Sequence, residues 1–175
     1  MDLKTPGNLI CLIGSTQDEL GGSHFALVND LAGGQVPQVD KEQAPKIFKS
    51  LHTAIQKQLI RSCHDLSEGG LAVAAAEMAF AGGFGMKLDL NRLPEALELS
   101  TPSLLFSESN SRFLIEVSSD KIGELQSCFP DLPLVEIGEV VSNSQFTVKG
   151  KSGRTVIDAS LDELKSAWKT PLAWD

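Results

Sequence analysis

The sequence predicts one mixed α/β (α+β) domain, a β-sheet of about six or seven strands packed with helices. Three observations carry this. Residues 8–14, Asn-Leu-Ile-Cys-Leu-Ile-Gly, form a continuous apolar run closed by glycine, the pattern of a strand buried on both faces. Residues 85–90, 112–117, 134–141, 145–149 and 155–157 are further short strand segments, bounded by turn residues. Between them lie two helical segments of different character.

The first helical segment follows Asp40, with Gln43 three residues on in a capping-box pattern. Ile47, Leu51, Ile55 and Leu59 recur every fourth residue, which predicts a one-sided apolar helix running to about Arg61. The second, residues 69–81, is mostly Ala, Leu, Val and Met. A helix apolar on most sides is packed between layers, and Gly82-Gly83 stops it. A short helix is expected over 24–31 and another over 120–128. A last one carries Leu161, Leu164 and Trp168 behind a Ser160/Glu163 capping box. Residues 62–65 read as a strand end and 93–99 as ambiguous. Asn143-Ser144 and residues 149–153 read as hairpin turns between successive strands. No repeat, low-complexity tract or linker divides residues 1–175, so they read as a single domain.

Composition excludes several function classes. With 23 Asp+Glu against 15 Lys+Arg the net charge is -8, and no basic stripe exists to track a nucleic-acid backbone. The longest apolar stretch, 71–84, is interrupted by Glu77 and Gly82-Gly83, so no membrane span is expected. The start lacks the apolar core of a signal peptide, and the three cysteines form no C-x-x-C. Free thiols in a reducing cytoplasm are the expectation.

Three segments could carry chemistry. Asp18-Glu-Leu-Gly-Gly-Ser23 is either a plain turn with Ser23 capping a helix or a backbone cradle for a ligand. His64-Asp-Leu-Ser-Glu-Gly-Gly70 joins a strand end to the Ala-rich helix. A helix N-terminus with glycines is a natural anion site. Asp65 adds a hard oxygen suited to Mg²⁺ bridging phosphates, and Ser67 adds a hydroxyl. The alternative reading is that Asp65 or Ser67 serves only as the helix cap. His64 has no Ser or Cys partner at fixed spacing and reads as structural. Phe106-Ser-Glu-Ser-Asn-Ser-Arg112 is a polar knot running into a strand. Its hydroxyls, Glu108 and Arg112 could grip a sugar phosphate, or form a turn with a surface Glu108–Arg112 pair.

Together these segments resemble the phosphoribosylformylglycinamidine synthases of purine biosynthesis. The resemblance rests on His64-Asp-Leu-Ser-Glu-Gly-Gly-Leu-Ala-Val-Ala, Ala76-Glu-Met-Ala-Phe-Ala-Gly-Gly, Leu105-Phe-Ser-Glu-Ser-Asn-Ser-Arg-Phe, Gly14-Ser-Thr-Gln-Asp-Glu-Leu-Gly-Gly-Ser and Leu164-Lys-Ser-Ala-Trp168. The Ser-Glu-Gly-Gly form is similar to the C-terminal-type domain of the second half of that enzyme, an AIR synthase-related C-terminal domain. The resemblance implies a parent ligase that converts formylglycinamide ribonucleotide, ATP and glutamine-derived ammonia to formylglycinamidine ribonucleotide, ADP and phosphate. By resemblance Asp65 is a Mg²⁺ ligand, Ser67, Gly69 and Gly70 contact nucleotide, and Ser107, Glu108 and Ser109 hold substrate or phosphate. No catalytic residue is expected in this chain. The implied partners are the ATP-binding A domains, absent here, with a separate glutaminase and a small accessory subunit. The chain therefore reads as an excised, cytoplasmic domain that does not turn over alone. Two alternatives are another AIR synthase-like superfamily member and a non-catalytic nucleotide-binding or structural module.

Overall fold

The computed structural model describes residues 1–172. In chain order the elements are β1 (Leu9–Ile13), α1 (His24–Val28), α2 (Gln43–Gln56), β2 (Ile60–Asp65), α3 (Gly70–Gly82), β3 (Gly85–Asp89), α4 (Thr101–Phe106), β4 (Phe113–Val117), α5 (Ile122–Ser127), β5 (Leu134–Val141), β6 (Gln145–Lys149), β7 (Thr155–Ser160) and α6 (Leu161–Lys169). Short 3-10 turns fill 90–97. The seven strands form one mixed sheet in the order β2-β4-β1-β5-β3-β6-β7, antiparallel except where β3 meets β6.

Two cores hold the sheet. On one face α3, α4 and α6 pack over Ile10, Leu12, Leu114, Met86, Ile137 and Phe146. On the other, α2 and α5 cover Cys11, Ile13, Ile115 and Val117. Alternate residues of β1 and β4 thus enter opposite cores, which is why β1 is apolar throughout. The face of β3 and β6 turned from the first core carries Lys87, Thr147 and Lys149, so these strands alternate instead. Helix α3 fits between sheet and helices because its alanines admit close approach. Leu71, Ala75, Met78 and Ala79 are all fully buried. No helix among the described residues is long and apolar enough to cross a membrane.

Several expectations need correction. Helix α2 ends at Gln56, not near Arg61, which lies in β2. Gln58 takes a left-handed conformation and the chain turns into β2. The buried stripe of α2 is Ala44, Ile47, Leu51 and Ala54, while Ile55 is half exposed. A four-residue spacing drifts by about 40° per step, so Ile55 sits roughly 80° from Ile47. The Asp40 carboxylate does accept from the amides of Glu42 and Gln43 at 2.9 Å. Asn143-Ser144 is not a hairpin turn: β3 is inserted between β5 and β6 and pairs with both. Strand periodicity shows that a strand exists but does not choose its partner. Helix α1 stops at Val28, and α4 was not anticipated, although Ser100 caps it and Pro102 opens its first turn. The Ser160/Glu163 capping box forms as expected.

Residues 3–8 are tied to the sheet by Glu116, whose side chain is fully buried. Its carboxylate accepts from the amides of Lys4 (2.8 Å) and Thr5 (3.0 Å), from Asn8 Nδ2 (2.6 Å) and from Ser62 Oγ (3.3 Å). Removing it strands four donors. Glu116→Ala is expected to lower the unfolding free energy in urea by about 3 kcal/mol or more. A loss below about 1 kcal/mol, the size of an ordinary exposed hydrogen bond, would refute this clasp.

Candidate functional site

Strand β2 delivers Asp65 to the edge of the sheet, and the amide of Leu66 is held by the Arg112 carbonyl at 3.0 Å. The chain then turns through exposed Ser67 and Glu68 to Gly69 and Gly70, both left-handed, and enters α3. Glycine is required at 70 for two reasons. Its φ is +62°, and a Cβ there would lie 2.4 Å from the Ser107 carbonyl oxygen. The start of α3 therefore rests directly on the 107–112 loop. The Gly69 amide donates to Glu108 Oε1 at 2.9 Å, and the same oxygen accepts from the His24 amide at 3.0 Å. The protein's own carboxylate thus occupies part of the helix N-terminus. No intramolecular hydrogen bond engages the amides of Ser67 and Glu68 among the described residues.

The 107–112 loop differs from its sequence reading. Arg112 is 1% exposed, so the expected surface pair with Glu108 does not form. Its guanidinium donates to the carbonyls of Ser107 and Ser109 and to Thr16 Oγ1. Burial pulls its pKa down to about 10, against the fields of Glu19, Glu95 and Glu108. Ser107 and Ser109 are also buried. Ser107 Oγ donates to the Gln17 carbonyl and accepts from the Glu19 amide, and Ser109 Oγ accepts from the Gln17 amide at 3.0 Å. These two hydroxyls are engaged in joining the 107–112 loop to residues 16–19 and do not project to a ligand. Of the three residues expected to hold substrate or phosphate, Glu108 alone reaches the groove wall.

Thr16 and Glu19 were missed by the sequence reading as side-chain partners. Glu19 is buried with Oε1 accepting from the Gln38 amide at 2.9 Å, and its other oxygen has no partner among the described residues. Ser23 serves as a helix cap, as one of the two alternatives had it.

Above this braced loop lies a groove of about 710 Å³ whose walls include Asp65, Ser67, Glu68, Glu108, Asn110 and Ser111. The Asp65 side chain is 68% exposed on its rim. His64 points away from the groove toward α3, with Nε2 2.8 Å from Glu77 Oε2. Asp65, Glu68 and Glu108 line the opening against one buried cation, Arg112, so the wall is net negative and disfavours a bare polyphosphate more than a cation-chelated one. No group of three or more His, Cys, Asp or Glu that could hold a metal exists among the described residues. Asp65 therefore fits an ion that keeps waters and takes its other oxygens from phosphate, as Mg²⁺ does, rather than a caged ion.

Residues 5–151 match the family described as "AIR synthase related protein, C-terminal domain". The chain belongs to this family. It is 35% identical over 176 residues to phosphoribosylformylglycinamidine synthase subunit PurL of Alkaliphilus metalliredigens, covering 98% of this chain but 23% of that protein. The Thermococcus sibiricus subunit is 32% identical over 97% of this chain, again 23% of its own length. The chain thus spans about a quarter of these relatives. Among solved structures, Thermotoga maritima PurL complexed with FGAR superposes with a TM-score of 0.80, at 20% identity over 93% of this chain and 28% of that one. As an AIR synthase-related C-terminal domain, the fold is the mixed sheet that the sequence predicts.

Cys63 also borders the groove. Burial, then the nearby Asp65 charge, pushes its thiol up to about 11 from 9.0, so it stays protonated at neutral pH. The unfolded chain ionises first as pH rises. Stability linked to Cys63 is intact below pH 9 and is expected to fall by about 1.4 kcal/mol per pH unit toward pH 11. Urea unfolding of the wild type and Cys63→Ser across pH 8–11 reads this as a difference in slope. Parallel curves would contradict it.

Proposed function

We propose that this chain is the AIR synthase-related C-terminal domain from the second half of a phosphoribosylformylglycinamidine synthase, and that its groove takes a magnesium-chelated nucleotide. The parent reaction joins ammonia derived from glutamine to formylglycinamide ribonucleotide at the expense of ATP, an amidotransfer ligase activity. The observation that carries the reading is the exposed Asp65 carboxylate at the entry to α3, on a groove whose floor is a loop fixed by a buried arginine. Identity spread over nearly the whole chain supports the choice of synthase.

In this reading Asp65 binds the cation, and the free amides of Ser67 and Glu68 with the Ser67 hydroxyl face the phosphates. Bound Mg²⁺ would neutralise the polyphosphate charge. Gly69 and Gly70 act by letting the helix start this close to the 107–112 loop. Glu108 holds the Gly69 amide in place, and Ser107 and Ser109 fix the loop from behind. No residue of this chain is assigned a catalytic proton or nucleophile. Turnover then depends on the remaining parts of the synthase, the A domains above all, with the glutaminase and a small accessory subunit as partners. The parent is read as a cytoplasmic enzyme.

Ligand binding to the folded chain raises its apparent stability by mass action. At a hundredfold excess over Kd the gain is about 2.7 kcal/mol, roughly 5–10 °C for a chain of this size. MgADP is expected to give such a shift in the wild type and to lose most of it in Asp65→Asn, with far-UV circular dichroism unchanged. An equal shift in both proteins would remove Asp65 from the site.

A further inference from the structure

The groove has a second end, and that end is apolar. Asp65 and Phe113 stand opposite each other across the β2–β4 pair, so their side chains leave the same face of the sheet. From α2, which covers that face, Phe48 meets Phe113 with ring centroids 5.9 Å apart and planes at 80°, an edge-to-face pair. Phe113 is partly buried against the second core, whereas Phe48 is 49% exposed. Pro37, from the extended segment ahead of α2, lines the same opening, as do Asp65, Ser67 and Glu68. Strand β2 is the edge of the sheet, so no further strand closes this side. A lone exposed apolar side chain calls for no explanation. Ile55, seven residues on and on the same flank of α2, is such a case at 48% exposure. Phe48 differs because its ring is held by a second aromatic ring and borders the wall that carries Asp65.

We propose that Pro37, Phe48 and Phe113 seat the base of the nucleotide whose phosphates face Asp65. The inference rests on the reading of the groove as a nucleotide site and adds what the far end of that ligand touches. Opposite residues on a strand pair stand about 5 Å apart, so the Phe48 ring lies on the order of 10 Å from Asp65, within the reach of an extended nucleoside diphosphate. A groove of about 710 Å³ is of the size that takes such a ligand. The seat reads planarity and not the identity of the base. Pro37 has no N–H and the two phenylalanines carry no polar side-chain atom. Cys63, which also borders this end, keeps its proton and is a weak donor. No strong side-chain donor or acceptor at this end meets a base edge, so adenine and guanine are held alike. Both are held better than a pyrimidine, because a purine stacks over more area.

Isothermal titration calorimetry tests this by comparing MgADP with magnesium pyrophosphate, which keeps the chelated phosphates and lacks the base. Phe48→Ala is expected to weaken MgADP roughly five- to a hundredfold, the range of one lost base–aromatic stack, and to leave magnesium pyrophosphate within about twofold. Phe48→Tyr keeps the ring and should hold MgADP within about threefold of the wild type. In the wild type, MgADP and MgGDP should bind within about threefold of each other, and both at least about threefold tighter than MgUDP. If Asp65→Asn weakens both ligands and Phe48→Ala weakens neither, the cation reading of Asp65 stands and the base seat is overturned. If Phe48→Ala weakens both ligands equally, the ring supports the groove and does not hold the base, which also overturns the seat. A wild type that binds neither ligand ends the nucleotide reading and the seat with it. The wild-type series decides without any variant: equal affinity for MgADP, MgUDP and magnesium pyrophosphate overturns the seat.

Discussion

The geometry of this groove depends on one buried guanidinium. Arg112 has no carboxylate within salt-bridge distance among the described residues, yet it is almost wholly removed from water. Burying a charge this way is costly unless its donors are satisfied. Here the fork of the guanidinium spans two loops, taking carbonyls from residues 107 and 109 and a hydroxyl from residue 16. A planar cation with donors spread over a rigid fork suits that task, where a lysine ammonium gathers its three donors at one point. The cost of burial is offset in part by the fields of Glu19, Glu95 and Glu108.

The consequences spread outward from that clamp. With carbonyls 107 and 109 turned inward, the hydroxyls of the same residues seize the backbone of Gln17 and Glu19. The two loops become one rigid floor. Helix α3 can begin directly on this floor because residue 70 lacks a side chain. Asp65 then projects from the last residue of β2 at the junction of sheet, floor and helix.

Much of the fold was legible in the sequence because it follows from local physics. The apolar run of β1, the small-residue helix α3 with its glycine stop and the Ser160 capping box each state their structure within a few residues. Partner choice was not legible. Nothing in Asn143-Ser144 tells the chain that β3, some sixty residues earlier, fills the place beside β5. At the site, the Asp65 turn was readable as a strand-to-helix junction with glycines. The roles of Ser107, Ser109 and Arg112 were not, since a polar cluster reads alike whether it faces solvent or a neighbouring loop. Only the tertiary contact with residues 16–19 decides between the two. Thr16 and Glu19 lie in a stretch that the sequence marks as a turn, but nothing local shows that their side chains serve as partners in the core.

Amide hydrogen exchange of Arg112→Lys addresses the clamp most directly, since lysine keeps the charge and loses the fork. The account predicts that amides in residues 15–20 and 107–111 exchange at least tenfold faster than in the wild type, while those of β1 and β4 keep their protection. Wild-type exchange in both loops would show that the groove floor stands without the guanidinium, and the account would be wrong.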